Sequence, residues 1–523
     1  MNAKGLEAYL DVEERESRRI EGGTVRKLAS YILKSPAPFA AGCGMLLIGT
    51  AATLLEPRLF GYAIDEVIVP KQGHQLLPLT LIFLGVIIVR VAAVIAQGYL
   101  FEIVGQRVTQ KLRCALFDHL HHLPISVFDK NPAGRLLTRV TNDISALAEM
   151  FSAGFVSMIG NALMVVGILA WLLVLDLKLG LIVLATFPAL VALSVYFSRK
   201  LKIAYRESRS KLSALNAFLA ENLLGMKVVQ LFNRQEIHLS RFDRVNQWYA
   251  DAQIGTMRVF AMFQPTITWA QGLAMALVIA VGARAALKSE LSLGVLVAFF
   301  TYVLAIFQPM REIADKWNTF LSGMSSAERI FSILAWKDEE ETYPTLGEAP
   351  PMLPIQGRIE FRNVWFAYEG EHWVLKDFSC EMLPGSRIGI VGHTGAGKTT
   401  LISLLLRFYQ HQRGEILLDG RDIRTYDRAT LRKAIGIVQQ DVFLFSGSAL
   451  DNVTFWGTSG ADSAEAGKFL ERAGRSLTIG ADGKPAKLEE RASNLSMGER
   501  QILAFARAFA SDPRIWILDE ATA

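Results

Sequence analysis

Charge is absent from long parts of this chain. No charged residue interrupts Ser152 to Leu175 or Val259 to Ala283. A buried soluble helix rarely stays apolar on every face for so long, so a wholly soluble protein is disfavoured and both stretches read as membrane spans. Cysteine is scarce too. Cys43, Cys114 and Cys380 lie far apart and form no metal-spaced pair, which argues against a disulfide framework and fits a reducing cytoplasm. The net charge of +5 is too small to argue for a nucleic-acid partner. The first 35 residues, with Glu13, Glu14, Arg15, Arg18 and Arg19 clustered, lack the apolar core of a signal peptide, so the N-terminus is expected in the cytoplasm. There is no internal repeat or low-complexity tract.

What remains is abundant apolar sequence. In 523 residues, 51% are hydrophobic and the mean hydropathy is +0.28, so two or three domains are expected, one of them in a membrane. Residues 24–36 alternate Val25, Leu28, Tyr31, Ile32 and Leu33 with Arg26, Lys27 and Lys34, the pattern of a basic amphipathic helix at a membrane surface. Six apolar runs follow near 38–60, 77–97, 152–175, 179–197, 259–283 and 291–310. Each approaches the ~20 residues needed to cross the hydrocarbon core. The segments between them, 98–151 and 198–258, are long, rich in Lys and Arg, and poor in the Pro and Gly of loose linkers. They predict helical arms projecting roughly 35 Å on the cytoplasmic side. Turns are expected at Phe128–Arg135 and near Glu221–Gly225. Such arms read either as solvated hairpins or as elements that dock on a cytoplasmic domain.

Beyond an acidic, proline-rich linker, Lys337–Pro354, the pattern changes to α/β. The run Ile388–Val391 leads into GHTGAGKTT, Gly392 to Thr400, and then an apolar helical stretch. A glycine-rich turn between strand and helix lets phosphate oxygens approach backbone N–H groups, with Lys398 as cation and Thr399 as Mg²⁺ ligand. Further on, RIWILDE ends in Asp519 and Glu520. On a buried strand beside the phosphate loop, Asp519 would support the Mg²⁺ shell and Glu520 would polarise the attacking water. Between these motifs, Ser496 and Gly498 of LSMGE stand at the start of a predicted helix through Phe509, a second anion site. One nucleotide has no need of two, so this end is expected to reach a nucleotide held by a second copy.

Together these residues resemble an ABC exporter half-transporter over about residues 25–523. GHTGAGKTT is similar to Walker A, WILDEATA to Walker B, and LSMGERQ to the family signature LSGGQRQ. The resemblance implies an all-α six-helix transmembrane domain followed by an α/β P-loop ATPase domain. Its bounds are 1–36 for an amphipathic N-terminal segment, 37–333 for the spans, 334–357 for a linker and 358–523 for the nucleotide-binding domain. It also implies that Tyr368 stacks on adenine. The nucleotide is then held by Gly392, Thr394, Gly395, Ala396, Gly397, Lys398, Thr399 and Thr400, with Ser496 and Gly498 contributed across a dimer. Gln440 would join Thr399 and Asp519 around Mg²⁺, and Glu520 and Gln440 would be catalytic. Glu490 and Arg491 match the loop before the signature, and Phe128–Asp143 the first intracellular loop of bacterial multidrug and lipid exporters. Two departures stand out: Met497 and Glu499 replace the usual Gly and Gln. The sequence also ends at Ala523, before the family's D-loop and switch histidine, so the domain is expected to be incomplete.

The implied function is ATP-driven export of a lipophilic substrate, drug-like or lipid, by a dimer of half-transporters in the cytoplasmic membrane, with both ends inside. The homodimer is favoured and a heterodimer stays open. A non-hydrolysing ATP-binding regulatory subunit is the alternative, and a soluble ATPase would require every apolar run to be buried core. Among single residues, Arg90 within the second run is expected to find a structural partner, and Glu56 and Glu102 read as interfacial. Pro188, Pro265 and Pro309 read as kinks, and His119, His121 and His122 as polar helix surface.

Overall fold

The computed structural model describes residues 22–346, 354–393, 395–455 and 487–519. They form two compact units. The first comprises the chain up to Phe117 together with Leu137–Leu334, and the second Asp118–Leu136 together with Ala335–Ala523.

The first unit is helical throughout. Helix α1 (Gly22–Ile32) is the expected amphipathic element. Its Tyr31 ring lies 6.3 Å from that of Phe331, and the Lys27 ammonium sits over the same Phe331. The apolar runs become α2 (Pro36–Tyr62), α3 (Leu76–His122), then, past the intervening turn, α7 (Val156–Leu175), α8 (Leu177–Leu224), α10 (Gln235–Leu287) and α11 (Leu293–Ile333). Five helical stretches of the described residues are long and apolar enough to cross a membrane. The fourth expected span falls in α8, where the described residues give the shorter apolar stretch Leu177–Thr186. The arms are the continuations of the same helices: α3, α8 and α10 each exceed forty residues because their sequences switch from apolar to charged without a Pro–Gly break. Pro188, Pro265 and Pro309 stand inside unbroken helices.

The bundle core joins Ile168 and Leu172 of α7, Leu179 and Val183 of α8, Val278 of α10, and Phe299, Tyr302 and Ile306 of α11. The buried Tyr302 hydroxyl donates to the Leu54 carbonyl at 2.5 Å. Arg90 has its partner: its Nε lies 2.6 Å from Glu56 Oε1, so Glu56 is one half of an interhelical ion pair. Helices α2 and α11 approach so closely that a Cβ on Gly294 would lie 2.0 Å from the Gly61 carbonyl oxygen. Asp65 seals this contact by accepting from the Ser292 hydroxyl and the Gly294 N–H.

Between α3 and α7 the chain turns through α4 (Ile125–Lys130), α5 (Ala133–Thr138) and α6 (Ile144–Glu149), joined by π-helical turns at Arg139–Asp143 and Met150–Phe155. Asp143 is buried and accepts from Arg139 Nη1 (2.9 Å), Arg329 Nε (3.1 Å), Arg329 Nη2 (2.7 Å) and Ser326 Oγ (3.1 Å). Burial pushes its carboxyl pKa upward, but the Arg329 and Arg139 hydrogen bonds outweigh this and hold it below the ordinary carboxylate value. Helix α8 ends at Gly225, as expected, and the short α9 (Met226–Leu231) forms the tip of the second arm.

In the second unit the described part of the linker is held to the folded domain. Its helix α12 (Glu339–Thr342) is anchored. Arg432 Nη2 bonds Glu339 Oε1 at 2.5 Å, Arg428 donates to the Glu339 and Tyr343 carbonyls, and the buried Arg407 guanidinium donates to Tyr343, Pro344, Ile423 and Tyr426 carbonyls. Burial and the nearby Arg428 and Arg432 charges push the Arg407 pKa down to about 10, so it stays cationic at neutral pH. Strands β1 (Ile359–Ala367), β2 (Trp373–Met382), β3 (Arg413–Leu418) and β4 (Arg421–Asp422) form an antiparallel sheet in the order β2-β1-β3-β4. Its inner face packs Phe361, Val364, Phe366, Ile416 and Leu418 on Leu401, Leu404 and Leu405 of α13 (Lys398–Leu405). After α14 (Arg428–Lys433), strand β5 (Ile435–Val438) pairs in parallel with β8 (Ile515–Leu518), matching Ile435 to Ile515 and Val438 to Leu518. Strands β6 (Gly447–Ser448) and β7 (Lys487–Leu488) pair antiparallel, with α15 (Ala449–Thr454) between them in sequence and α16 (Met497–Ala510) after β7.

Candidate nucleotide site

The expected strand at Ile388–Val391 is not formed. Those residues are extended without ladder bonds, and Val391 is 97% exposed. A strand exists through its neighbours, and none of the described strands lies beside this one. The turn that follows is nonetheless shaped for phosphate. Gly397 has φ +89° at the N-cap of α13, a left-handed conformation that side chains resist, and a Cβ there would press on Leu375 at 3.0 Å. Lys398 Nζ curls back to donate to the Gly392 carbonyl (2.6 Å) and the His393 carbonyl (3.3 Å). Those bonds keep the ammonium over the loop, where phosphate oxygens could replace the carbonyls. Thr399 is exposed and Thr400 buried on the first turn of α13. Thr394 and Glu520 lie outside the described residues.

Tyr368 joins the loop directly. Its hydroxyl pairs with Thr400 Oγ1 at 3.1 Å, while the residue stays 42% exposed. The parallel pairing of β5 with β8 sends Gln440 and Asp519 out of the same end of that pair, and the Asp519 N–H donates to the Val438 carbonyl at 3.0 Å. Oxygen donors Thr399, Gln440 and Asp519 are the kind a hard dication takes. The loop and the donor set therefore fit a Mg²⁺-nucleotide.

The signature region stands on its own helix end. Ser496 caps α16: its Oγ accepts from the Glu499 N–H at 3.3 Å, and Glu499 Oε2 accepts from the Ser496 N–H at 2.9 Å. This reciprocal cap gives the unusual Glu499 a structural role. Ser496 and Gly498 are exposed. Glu490 and Arg491 form a single 3₁₀ turn just ahead of it.

Sequence reading left the first arm open between a solvated hairpin and a docking element, and named none of the partners that α4 finds. The Tyr409 hydroxyl bonds the Asp129 carboxylate, and Lys130 Nζ lies 3.7 Å from Glu369 Oε1. Burial first, and then the bond to Asp129, raise the Tyr409 phenol well above its ordinary pKa. The Asp129–Tyr409 pair is 280 residues apart in sequence, beyond the reach of any periodicity. Among the described residues no group of His, Cys, Asp and Glu could hold a metal by itself, and His119, His121 and His122 occupy the last turn of α3.

Known proteins match this architecture along its length. The family described as the ABC transporter transmembrane region matches residues 39–310, and the family described as ABC transporter matches residues 375–523. An uncharacterized ABC transporter ATP-binding protein of Bacillus subtilis is 35% identical over 484 residues, covering 91% of this chain and 79% of the relative. A probable multidrug resistance ABC transporter ATP-binding/permease protein of the same organism is 34% identical over 484 residues, 90% of this chain and 69% of its own. An ATP-dependent lipid A-core flippase of Thiobacillus denitrificans is 30% identical over 499 residues, 95% and 85% of the two chains. With helices built to cross a membrane and a phosphate loop on one polypeptide, the chain belongs to the ABC transporter family, as an exporter-type membrane protein that binds ATP and couples its hydrolysis to transport.

Proposed function

We propose that the protein exports a lipophilic substrate, a drug-like amphiphile or a lipid, across the cytoplasmic membrane as a dimer of half-transporters. The observation that carries this reading is the emergence of Gln440 and Asp519 from one end of the β5–β8 pair, in a chain whose other unit is a bundle of apolar helices. In this reading Tyr368 stacks on the adenine, and Gly392 to Thr400 wrap the phosphates. Thr399, Gln440 and Asp519 would hold Mg²⁺, which when bound neutralises charge on the phosphate oxygens. Glu520 polarises the attacking water and Gln440 orients it. Ser496 and Gly498 meet the nucleotide of the second copy, so each copy completes the other's site. The exposed Leu223, Leu224, Leu231 and Phe232 at the tip of the second arm support docking onto that copy. Basic residues on both arms support an arrangement with both ends and the ATPase domain in the cytoplasm. The charge-free spans, and relatives named for multidrug resistance and lipid A-core, support a lipophilic cargo. ATP favours the closed arrangement and hydrolysis releases it.

Replacing Lys398 by Ala in the full-length protein, reconstituted in liposomes, tests the scheme. ATP turnover and efflux of a fluorescent lipid should both fall by a factor on the order of 10². Efflux and turnover at parental rates would overturn it.

A further inference from the structure

We infer that Tyr409 is a positioning residue through which the base of the bound nucleotide is sensed by the short helix Ile125–Lys130. The inference rests on the reading of Tyr368 as the base-stacking residue.

The Tyr409 ring stands edge-on to Tyr368, with centroids 4.9 Å apart at 88°, and edge-on to Phe366 at 5.8 Å. Phe366 is buried and itself lies 4.8 Å from Tyr368, so the three rings form a closed triangle rooted in the core of β1. The far end of Tyr409 is its hydroxyl, and that hydroxyl is bonded to Asp129 on α4. Tyr368 is tied at its own hydroxyl to Thr400 in the phosphate loop. A second link runs in parallel, because Lys130 pairs with Glu369, the neighbour of Tyr368. That pair is exposed on both sides and contributes little by itself, so the weight falls on the phenol–carboxylate bond.

The physical consequence is an ordering effect. Before a base stacks, Tyr368 is held by one edge contact with each of two rings and by its hydroxyl. A base on its open face restricts the remaining ring motion, which restricts Tyr409 and therefore the carboxylate that Tyr409 grips. Binding that stiffens one group lowers the cost of ordering the next, without any large displacement. A ligand that fills the phosphate loop but has no base leaves this chain of rings untouched.

Hydrogen exchange of the peptide covering residues 123–136 reads the effect in full-length protein in lipid nanodiscs. ATP should slow exchange in Ile125–Lys130 at least threefold, and inorganic triphosphate at saturation should not. Tyr409→Phe retains the ring triangle and loses only the hydroxyl. It should bind a fluorescent ATP analogue within twofold of the parent yet lose the ATP-dependent protection. Asp129→Asn, whose amide oxygen still accepts from the phenol, should keep most of it. Should Tyr409→Phe lower the melting temperature, Asp129→Ala gives the same readout from the other side of the bond. Protection that survives in both Tyr409→Phe and Asp129→Ala, or equal protection by inorganic triphosphate, would overturn the inference. Failure of the parent to bind the ATP analogue would instead overturn the reading of the nucleotide site.

Discussion

Asp143 offers the sharpest test of how the helical unit is held together. Its carboxylate is 8% exposed and accepts four hydrogen bonds, three of them from two guanidinium groups on separate segments of chain. Removing one partner of a buried ion pair costs about 3–5 kcal/mol, because the charge left behind is no longer compensated. The Arg329 side chain is 33% exposed and can recover some hydration, which places Asp143→Ala at the lower end, about 3 kcal/mol. At about 1.4 kcal/mol per factor of ten, amides of residues 139–150 should then exchange hydrogen roughly 150-fold faster, as local opening becomes easier. Adding Arg329→Met removes one stranded cation and should return part of the loss, so the two changes are expected to be non-additive by about 1–3 kcal/mol. The pH dependence has a definite sign. The folded carboxyl pKa is lowered, so its contribution is complete above the unfolded value of about 3.9 and disappears as pH falls through the folded one. Parental protection should decline below about pH 4 more steeply than that of Asp143→Ala. Exchange in the variant within about threefold of the parent, or strict additivity with Arg329→Met, would refute the argument.

Other outcomes follow from packing and titration. Gly294→Ala should destabilise the contact of α2 with α11 by about 2 kcal/mol or more, since backbone faces the new methyl group and cannot step aside; a melting temperature equal to the parent would contradict this. His411 is buried with its Nε2–H donating to the Gly414 carbonyl, and burial together with the Arg424 charge lowers its pKa against the opposing pull of Asp422 and Glu415. The unfolded chain then takes up a proton below about pH 6.5 that the folded chain resists, so the ATPase unit should lose stability as pH drops through that region. His411→Asn should flatten the slope, and an unchanged slope measured by thermal melts would reject the assignment.

Local chemistry was legible in the sequence where one short stretch decides the structure. The apolar runs gave the helices, the glycines of GHTGAGKTT gave the turn into α13, and Ser496 with Gly498 marked the start of α16. Strand Ile388–Val391 failed because its pattern describes an apolar ribbon but not the neighbour that makes it a strand. The linker is read from its acidic, proline-rich composition alone, which does not show that Arg407, Arg428 and Arg432 converge on it from the folded unit. Three arginines close in sequence, facing an acidic segment, were the available signal. Glu56 and Arg90 form a pair that only the crossing of two helices brings into register.

The discontinuous second unit has a consequence for synthesis. Asp129 leaves the ribosome 280 residues ahead of Tyr409. At about 5–20 residues per second that is a wait of roughly 15–55 s, during which the Asp118–Leu136 turn must persist without the rest of its unit. Nascent chains halted before Tyr409 should therefore leave this turn open to added protease, and chains released after it should shield it.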